Sequence, residues 1–119
     1  MDEEKQFLLD ILKVTPINSI WAISQDSLEN LPNEFKERFF EIRGNNLCIE
    51  ILDENKYYLQ DLINKFDIHD KVIHQYIYFD NGQLMFKGYD HLTSCFIHKE
   101  FPEVNNLIEK YSDILNLME

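Results

Sequence analysis

The chain has 119 residues, the size of one ordinary domain, and 45% of them are hydrophobic, enough for a substantial core. Eleven Lys and Arg stand against 22 Asp and Glu, so the formal net charge is -11 at pH 7. Such a charge disfavours binding to nucleic acid or to anionic membranes and favours association with a basic partner. No apolar run approaches the ~20 residues of a membrane span. The acidic N-terminus also lacks the basic start of a signal peptide, so we predict a cytoplasmic protein.

The first half of the chain predicts a helix, a strand, a second helix and a hairpin. From about residue 2 to 13, apolar residues recur at helical spacing and predict a helix with one apolar stripe: Phe7, Leu8, Ile11 and Leu12. The segment "INSIWAIS" at 17–24 is short, β-branched and apolar on both alternations, as expected of a strand covered on both faces. Helical spacing returns at Leu28, Leu31, Phe35 and Phe39. Residues 40–52, including Phe40, then alternate around Gly44-Asn45-Asn46, which indicates a β-hairpin.

The second half predicts a helix capped by Asn55, a hairpin at 73–89, a strand in "SCFIH" and a C-terminal helix of about four turns from residue 102 to 118. The helix that Asn55 caps has one apolar stripe, which consists of Tyr58, Leu59, Leu62, Ile63 and Phe66. The second hairpin is predicted to turn at Asn81-Gly82 in a two-residue type I′ turn. This register pairs Phe79 with Leu84, Ile77 with Phe86, Tyr78 with Met85 and Tyr76 with Lys87. The predicted fold is therefore a single α+β domain over residues 1–119. Its mostly antiparallel sheet, with hairpins at about 40–52 and 73–89, is packed by N-terminal, central and C-terminal helices.

The stretch "HLTSCFIH" at 91–98 raises the question of a metal site. On a helix, His91, Cys95 and His98 would lie within roughly 60° of one another and could bind one Zn²⁺. On a strand, His98 would point away from the other two. The β-branched and aromatic "SCFIH" favours a strand, so we predict a buried Cys95, no metal and no other cofactor. A small metal-binding protein or enzyme that uses these three residues stays an alternative.

The two cysteines, Cys48 and Cys95, each lie in an apolar run, which is typical of buried free thiols in a reducing compartment. With only three glycines, the chain contains no phosphate-binding or dinucleotide-binding loop, and no serine lies in a nucleophile motif. We therefore predict that the protein is not an enzyme.

A protein-binding surface is predicted near the helix that follows residue 52. Acids there surround a tyrosine that faces away from the apolar stripe. Carboxylates around an accessible tyrosine suit a basic protein surface, because the acids steer association and the ring supplies contact area. The predicted partner-binding residues are Asp53, Glu54, Tyr57, Asp61, Asp67 and Asp70.

The segment "QLMFKGYDHLTSCFIHKEFPEVNNLIEKY" is read as a strand ending in an aromatic-Asp turn, followed by a further strand and a helix. In this layout it is similar to several immunity proteins of bacterial toxin systems, such as contact-dependent growth inhibition. The resemblance implies stoichiometric binding of a cognate toxin domain, commonly a nuclease, to block its active site. It assigns no role to any single residue. An acidic phage-type inhibitor that mimics nucleic acid would use the same charge and stays an alternative.

Overall fold

The structure is a computed structural model that describes residues 3–37 and 41–118, with the backbone alone at 41–43. Its helices are α1 (Glu3–Val14), α2 (Asn33–Lys36), α3 (Asp53–Phe66), α4 (Ile68–Lys71) and α5 (Val104–Lys110). Its strands are β1 (Ile20–Ser24), β2 (Glu41–Arg43), β3 (Asn46–Glu50), β4 (Gln75–Tyr78), β5 (Leu84–Tyr89), β6 (Ser94–Ile97) and β7 (Leu115–Leu117). The predicted α+β class with a mostly antiparallel sheet is confirmed.

The strands form one sheet in the order β2-β3-β1-β4-β5-β6-β7. Neighbouring strands are antiparallel except β6 and β7, which are parallel. The predicted strand at 17–24 is confirmed as β1, which lies between β3 and β4 at the centre of the sheet. Its apolar composition is explained by burial on both faces, because Trp21 and Ile23 are fully buried in the core and Ala22 on the opposite face is only 1% exposed.

The helices pack against one face of this sheet. The α1 residues predicted to form an apolar stripe, Phe7, Leu8, Ile11 and Leu12, are all at most 1% exposed. They belong to the same core cluster as Trp21 of β1 and as the α3 residues Leu59, Leu62 and Ile63. The helical spacing in the sequence therefore identified the core faces of α1 and α3 correctly.

The first predicted hairpin is confirmed, with a shorter turn than expected. Ile42 lies opposite Leu47 and Arg43 opposite Asn46, so Gly44 and Asn45 alone form the turn. Gly44 has a φ of 58°, which glycine adopts without strain. Asn46 is the first residue of β3, and Phe40 lies outside the described residues.

The continuous helix predicted from Leu28 to Phe39 is wrong. The chain forms a 3₁₀ helix at Gln25–Asn30 and then the single turn of α2. Pro32 separates the two, because the residue before a proline is displaced from helical geometry; Leu31 accordingly has a ψ of 140°. Phe35 still reaches the core, where its ring lies 5.7 Å from that of Trp21, whereas Phe39 lies outside the described residues.

The second predicted hairpin is confirmed, but its turn and half of its register are wrong. Tyr76 pairs with Lys87 and Ile77 with Phe86 as predicted, whereas Tyr78 pairs with Leu84 across a bulge, so the pairs Phe79 with Leu84 and Tyr78 with Met85 do not form. Phe79 N donates to Gln83 O at 3.0 Å and Gly82 N donates to Phe79 O at 2.8 Å.

The loop of this hairpin therefore has three residues, Asp80, Asn81 and Gly82. A type I′ turn needs positive φ at both Asn81 and Gly82, but of these two only Gly82, at 84°, has it. The extra residue is accommodated by the bulge, which restores the register at Ile77.

The predicted four-turn C-terminal helix is also wrong. The helix α5 ends at Lys110, and the chain then forms β7, which adds to the sheet beside β6. Leu115 is buried, so the apolar pattern was real but belongs to two elements. The strand forms because β6 would otherwise leave its backbone groups unpaired.

Candidate functional site

The predicted binding helix begins earlier than expected. Its first residue is Asp53, and Asn55 lies within the first turn and does not precede the helix. The Asn55 side chain accepts a hydrogen bond from Leu52 N at 2.8 Å and donates one to Glu50 O at 2.8 Å. These two hydrogen bonds connect the first turn of α3 to the residues before it and so fix where the helix begins. Asp53 and Glu54 therefore lie at the positive end of the helix dipole, where carboxylates are stabilising.

Four of the six predicted binding residues lie together on the outer surface of α3. We call Asp53, Glu54, Tyr57 and Asp61 the helix stripe; all four are exposed, and Tyr57 is 81% exposed. Their spacing of three or four residues aligns them along one side of the helix. Within the part of the chain that the structure describes, no ion pair or side-chain hydrogen bond involves Glu54, Tyr57 or Asp61.

The other two predicted residues are separated from the helix stripe. Asp67 follows α3, whose 14 residues place it about 20 Å from Asp53 along the helix axis. Lys5 Nζ donates a hydrogen bond to Asp67 Oδ1 at 2.9 Å, and this bond holds the pKa of Asp67 below its usual value. Asp70 lies in α4, 3.6 Å from Nε2 of the buried His69. The six residues therefore do not form one continuous patch.

The three potential metal ligands at 91–98 are not brought together. The predicted strand is confirmed as β6, with Cys95 fully buried on the core face of the sheet. His91 precedes it in a loop, with a φ of 57°. His98 follows it, and its ring nitrogens contact Gln83 Nε2 at 3.1 Å and accept from Glu100 N at 3.0 Å. Among the described residues, no group of three His, Cys, Asp or Glu side chains has an arrangement that could hold a metal ion.

Both cysteines are buried and neither forms a disulfide, as predicted. Burial raises the pKa of the Cys95 thiol to about 12, with a smaller effect from Glu4. A thiol with so high a pKa is a poor nucleophile and a poor metal ligand, since both roles need the thiolate.

Sequence reasoning missed a second candidate surface, on the face of the sheet opposite the helices. We call Tyr76, Tyr78, Tyr89 and Phe96 the tyrosine face. Strand alternation places them there: Tyr76 lies opposite Ala22 of β1, while Trp21 points into the core. All four are partly exposed. The sheet thus combines a closed core on one side with an aromatic surface on the other.

Three of the four rings of the tyrosine face are linked across the strands, with Tyr89 between Tyr76 and Phe96. The Tyr89 ring centroid lies 6.1 Å from that of Tyr76 and 6.3 Å from that of Phe96. His74 approaches Tyr89 at 5.6 Å, and Lys87 Nζ lies 5.5 Å from the Phe96 centroid. Edge contacts of this kind hold aromatic side chains in defined positions. The surface is consequently preorganised, which lowers the entropy cost of binding a partner.

Burial also affects the ionisation of this surface. It raises the pKa of Tyr76, with further contributions from Tyr89, Tyr78 and Asp26. The Tyr76 hydroxyl therefore stays protonated at neutral pH and can donate a hydrogen bond to a partner.

A groove of about 720 Å³ borders the tyrosine face, running from β1 and β3 to the loop of the second hairpin. Its floor contains Ala22 and Cys48, two small side chains that lie opposite each other on neighbouring strands. Tyr78 lines one side, and the exposed acids Glu50 and Asp80 also line the groove. The described residues that line it include no lysine, arginine or histidine.

The alternation of Tyr76 and Tyr78 in the sequence could have indicated the tyrosine face. The groove could not be found in this way, because it depends on strand order. Glu50 reaches the same surface as Tyr78 only because β1 lies between β3 and β4, with Ile20 paired to both residues.

Two further findings bear on function. Among the described residues, no helix has the length and apolar character needed to cross a membrane. Comparison with protein-family models, with curated proteins and with solved structures finds no match.

Proposed function

We propose that this protein is a stoichiometric inhibitor that binds a basic protein domain, in the manner of an immunity protein that neutralises its cognate toxin. The observation that carries the proposal is the tyrosine face, a preorganised aromatic surface on a chain of net charge -11. Tyrosine is enriched at protein interfaces because one side chain offers both apolar area and a polar group. The protein acts by binding and not by catalysis, in the cytoplasm.

Two physical features support a basic partner. The acids are spread along the whole chain, with 12 in residues 1–60 and 10 in residues 61–119, so the surface attracts a cationic domain from many directions. The acids Glu50 and Asp80 beside the tyrosine face act at short range, where opposite charges fix the orientation of the partner. A nuclease domain fits this description, because it needs a positive surface for its own substrate.

Affinity capture from the native cell tests the proposal. The expected result is a basic protein bound in a 1:1 ratio, whose production without this chain stops growth and whose toxicity disappears when the two are produced together. Recovery of acidic partners alone would contradict the proposal. Capture of no protein, together with catalytic turnover by the purified chain, would contradict it as well.

A further inference from the structure

We infer that the groove beside the tyrosine face binds an arginine side chain presented by the basic partner. This inference rests on the proposed function and adds the group that is recognised. Three features of the groove carry it: its charge, its aromatic side and its apolar floor.

The charge of the groove selects a cation. Glu50 and Asp80 are both exposed, and no described side chain forms an ion pair or a hydrogen bond with either carboxylate. Among the groove's described residues there is no cation to neutralise them. A second copy of this chain is disfavoured as the occupant, because two molecules of charge -11 repel each other.

The aromatic side favours arginine over lysine. The planar guanidinium stacks on a tyrosine ring while its N–H groups remain available to carboxylates. Tyr78 supplies such a ring in the same groove as the two acids: Ile20 pairs with Tyr78 on one side and with Glu50 on the other, and Asp80 follows Tyr78 by two residues. The ammonium group of lysine is compact and strongly hydrated, so it gains less from this arrangement.

The floor accommodates the aliphatic part of the side chain. Ile20 is partly exposed and lines the groove beside the small, buried side chains of Ala22 and Cys48, so it offers the apolar surface. Arginine buries its methylene groups on apolar surface of this kind while its charged end stays near polar groups. The amide side chains of Asn18 and Asn46 also line the groove and can accept hydrogen bonds from the guanidinium.

Titration of the isotope-labelled protein with Nα-acetyl-arginine amide, followed by NMR, tests the inference without a known partner. The probe carries one positive charge, and the equally charged Nα-acetyl-lysine amide is the comparison at constant ionic strength. We expect binding in the millimolar range, as suits a ligand of this size. The shifted amides should cluster at Ala22, Tyr78 and Gly82, and the affinity for arginine should exceed that for lysine at least about threefold.

Isosteric variants locate the site. Glu50→Gln and Asp80→Asn should each weaken binding of the arginine probe about two- to fivefold, as expected for an exposed ion pair. The matched controls Glu109→Gln and Asp113→Asn, which make the same change in charge at exposed positions in and after α5, should leave it unaltered.

The inference is overturned if the shifts centre on α3, if lysine binds as well as arginine, or if no amide of the groove shifts at about 10 mM probe. Capture of a basic protein would stand in each of these cases, so the two proposals fail separately. With a captured partner, the double variant Glu50→Gln/Asp80→Asn should weaken its binding, whereas Glu54→Gln/Asp61→Asn should not. The opposite pattern would assign the interface to the helix stripe.

Discussion

At the scale of single residues, the loop of the second hairpin depends on Gly82. Its φ of 84° is strained for any residue with a β-carbon, and most strained for a β-branched one. Gly82→Val should therefore lower the free energy of unfolding by about 1–2 kcal/mol. Gly82→Asn is the matched control. It should lower the free energy of unfolding less than Gly82→Val does, because asparagine tolerates this conformation. Denaturant unfolding checks both, and equal stability of Gly82→Val and wild type would contradict the loop geometry.

A second residue-scale prediction concerns the thiol of Cys95. Burial moves its pKa from 9.0 to about 12, so the native protein holds about a thousandfold less thiolate at pH 8 than an ordinary cysteine would. A thiol reagent should find neither buried cysteine reactive in the folded protein and two reactive thiols in denaturant, and Cys95→Ser should lower that number to one. Stoichiometric zinc in the purified protein, lost in Cys95→Ser or His91→Ala, would contradict this account and support a metal site.

At the scale of elements, Asp10 joins α1 to the C-terminal end of α5. Its carboxylate accepts hydrogen bonds from Lys110 Nζ at 2.8 Å, from the Tyr111 hydroxyl and from Gln6 Nε2 at 3.0 Å. Burial alone would raise the pKa of Asp10, but these bonds together outweigh it, so the pKa lies below 3.8. A carboxylate with a lowered folded-state pKa stabilises the protein above its unfolded pKa, and this stabilisation is lost as the pH falls.

Asp10→Asn should therefore lower the free energy of unfolding by about 1 kcal/mol at pH 7. The effect is no larger because the ion pair with Lys110 is partly exposed and only the hydrogen bond from Tyr111 is better shielded. The difference in unfolding free energy between wild type and variant should shrink as the pH falls below 3.8. Asp113→Asn, an exposed change in the following turn, is the control and should show no such dependence. A difference that grows at low pH would contradict the sign of the shift.

Some elements could be predicted from the sequence alone and others could not. The stripes of α1 and α3 have only one interpretation, because each covers at least three helical turns with polar residues on the other side. Leu115 fits both a continued helix and a strand, and only the unpaired edge of β6 decides between them. Similarly, Asn81-Gly82 fits two loop lengths that differ by one residue. The local hydrophobic pattern was therefore sufficient to identify the long helices. The pairing of edge strands and the order of the strands depend on the whole sheet and could not be predicted from that pattern.

For the candidate site the same distinction holds. Tyr57 was predicted to be exposed from its place opposite the apolar stripe of α3, and it is. The tyrosine face and the groove were missed because they combine residues from β1, β3, β4, β5 and β6, and strand order is not a local property of the sequence.

At the scale of the whole molecule, the helix stripe and the tyrosine face lie on opposite sides of the sheet and are the two candidate contact surfaces for the proposed partner. An aromatic residue at the centre of an interface typically contributes at least about 2 kcal/mol, which corresponds to about a 30-fold change in affinity. We expect Tyr76→Ala to raise the dissociation rate of the captured partner about 30-fold. Tyr57→Ala should change it less than about threefold. Surface plasmon resonance measures both, and the reverse order would assign binding to the helix stripe.

The proposed function depends on attraction between the negative charge of this chain and a basic protein. The most direct measurement is the association rate with the captured partner between about 50 and 300 mM NaCl, a range over which screening of exposed charges increases strongly. We expect this rate to fall about tenfold or more as salt rises, while the dissociation rate changes little. An association rate that is independent of salt, or that increases with it, would contradict the claim.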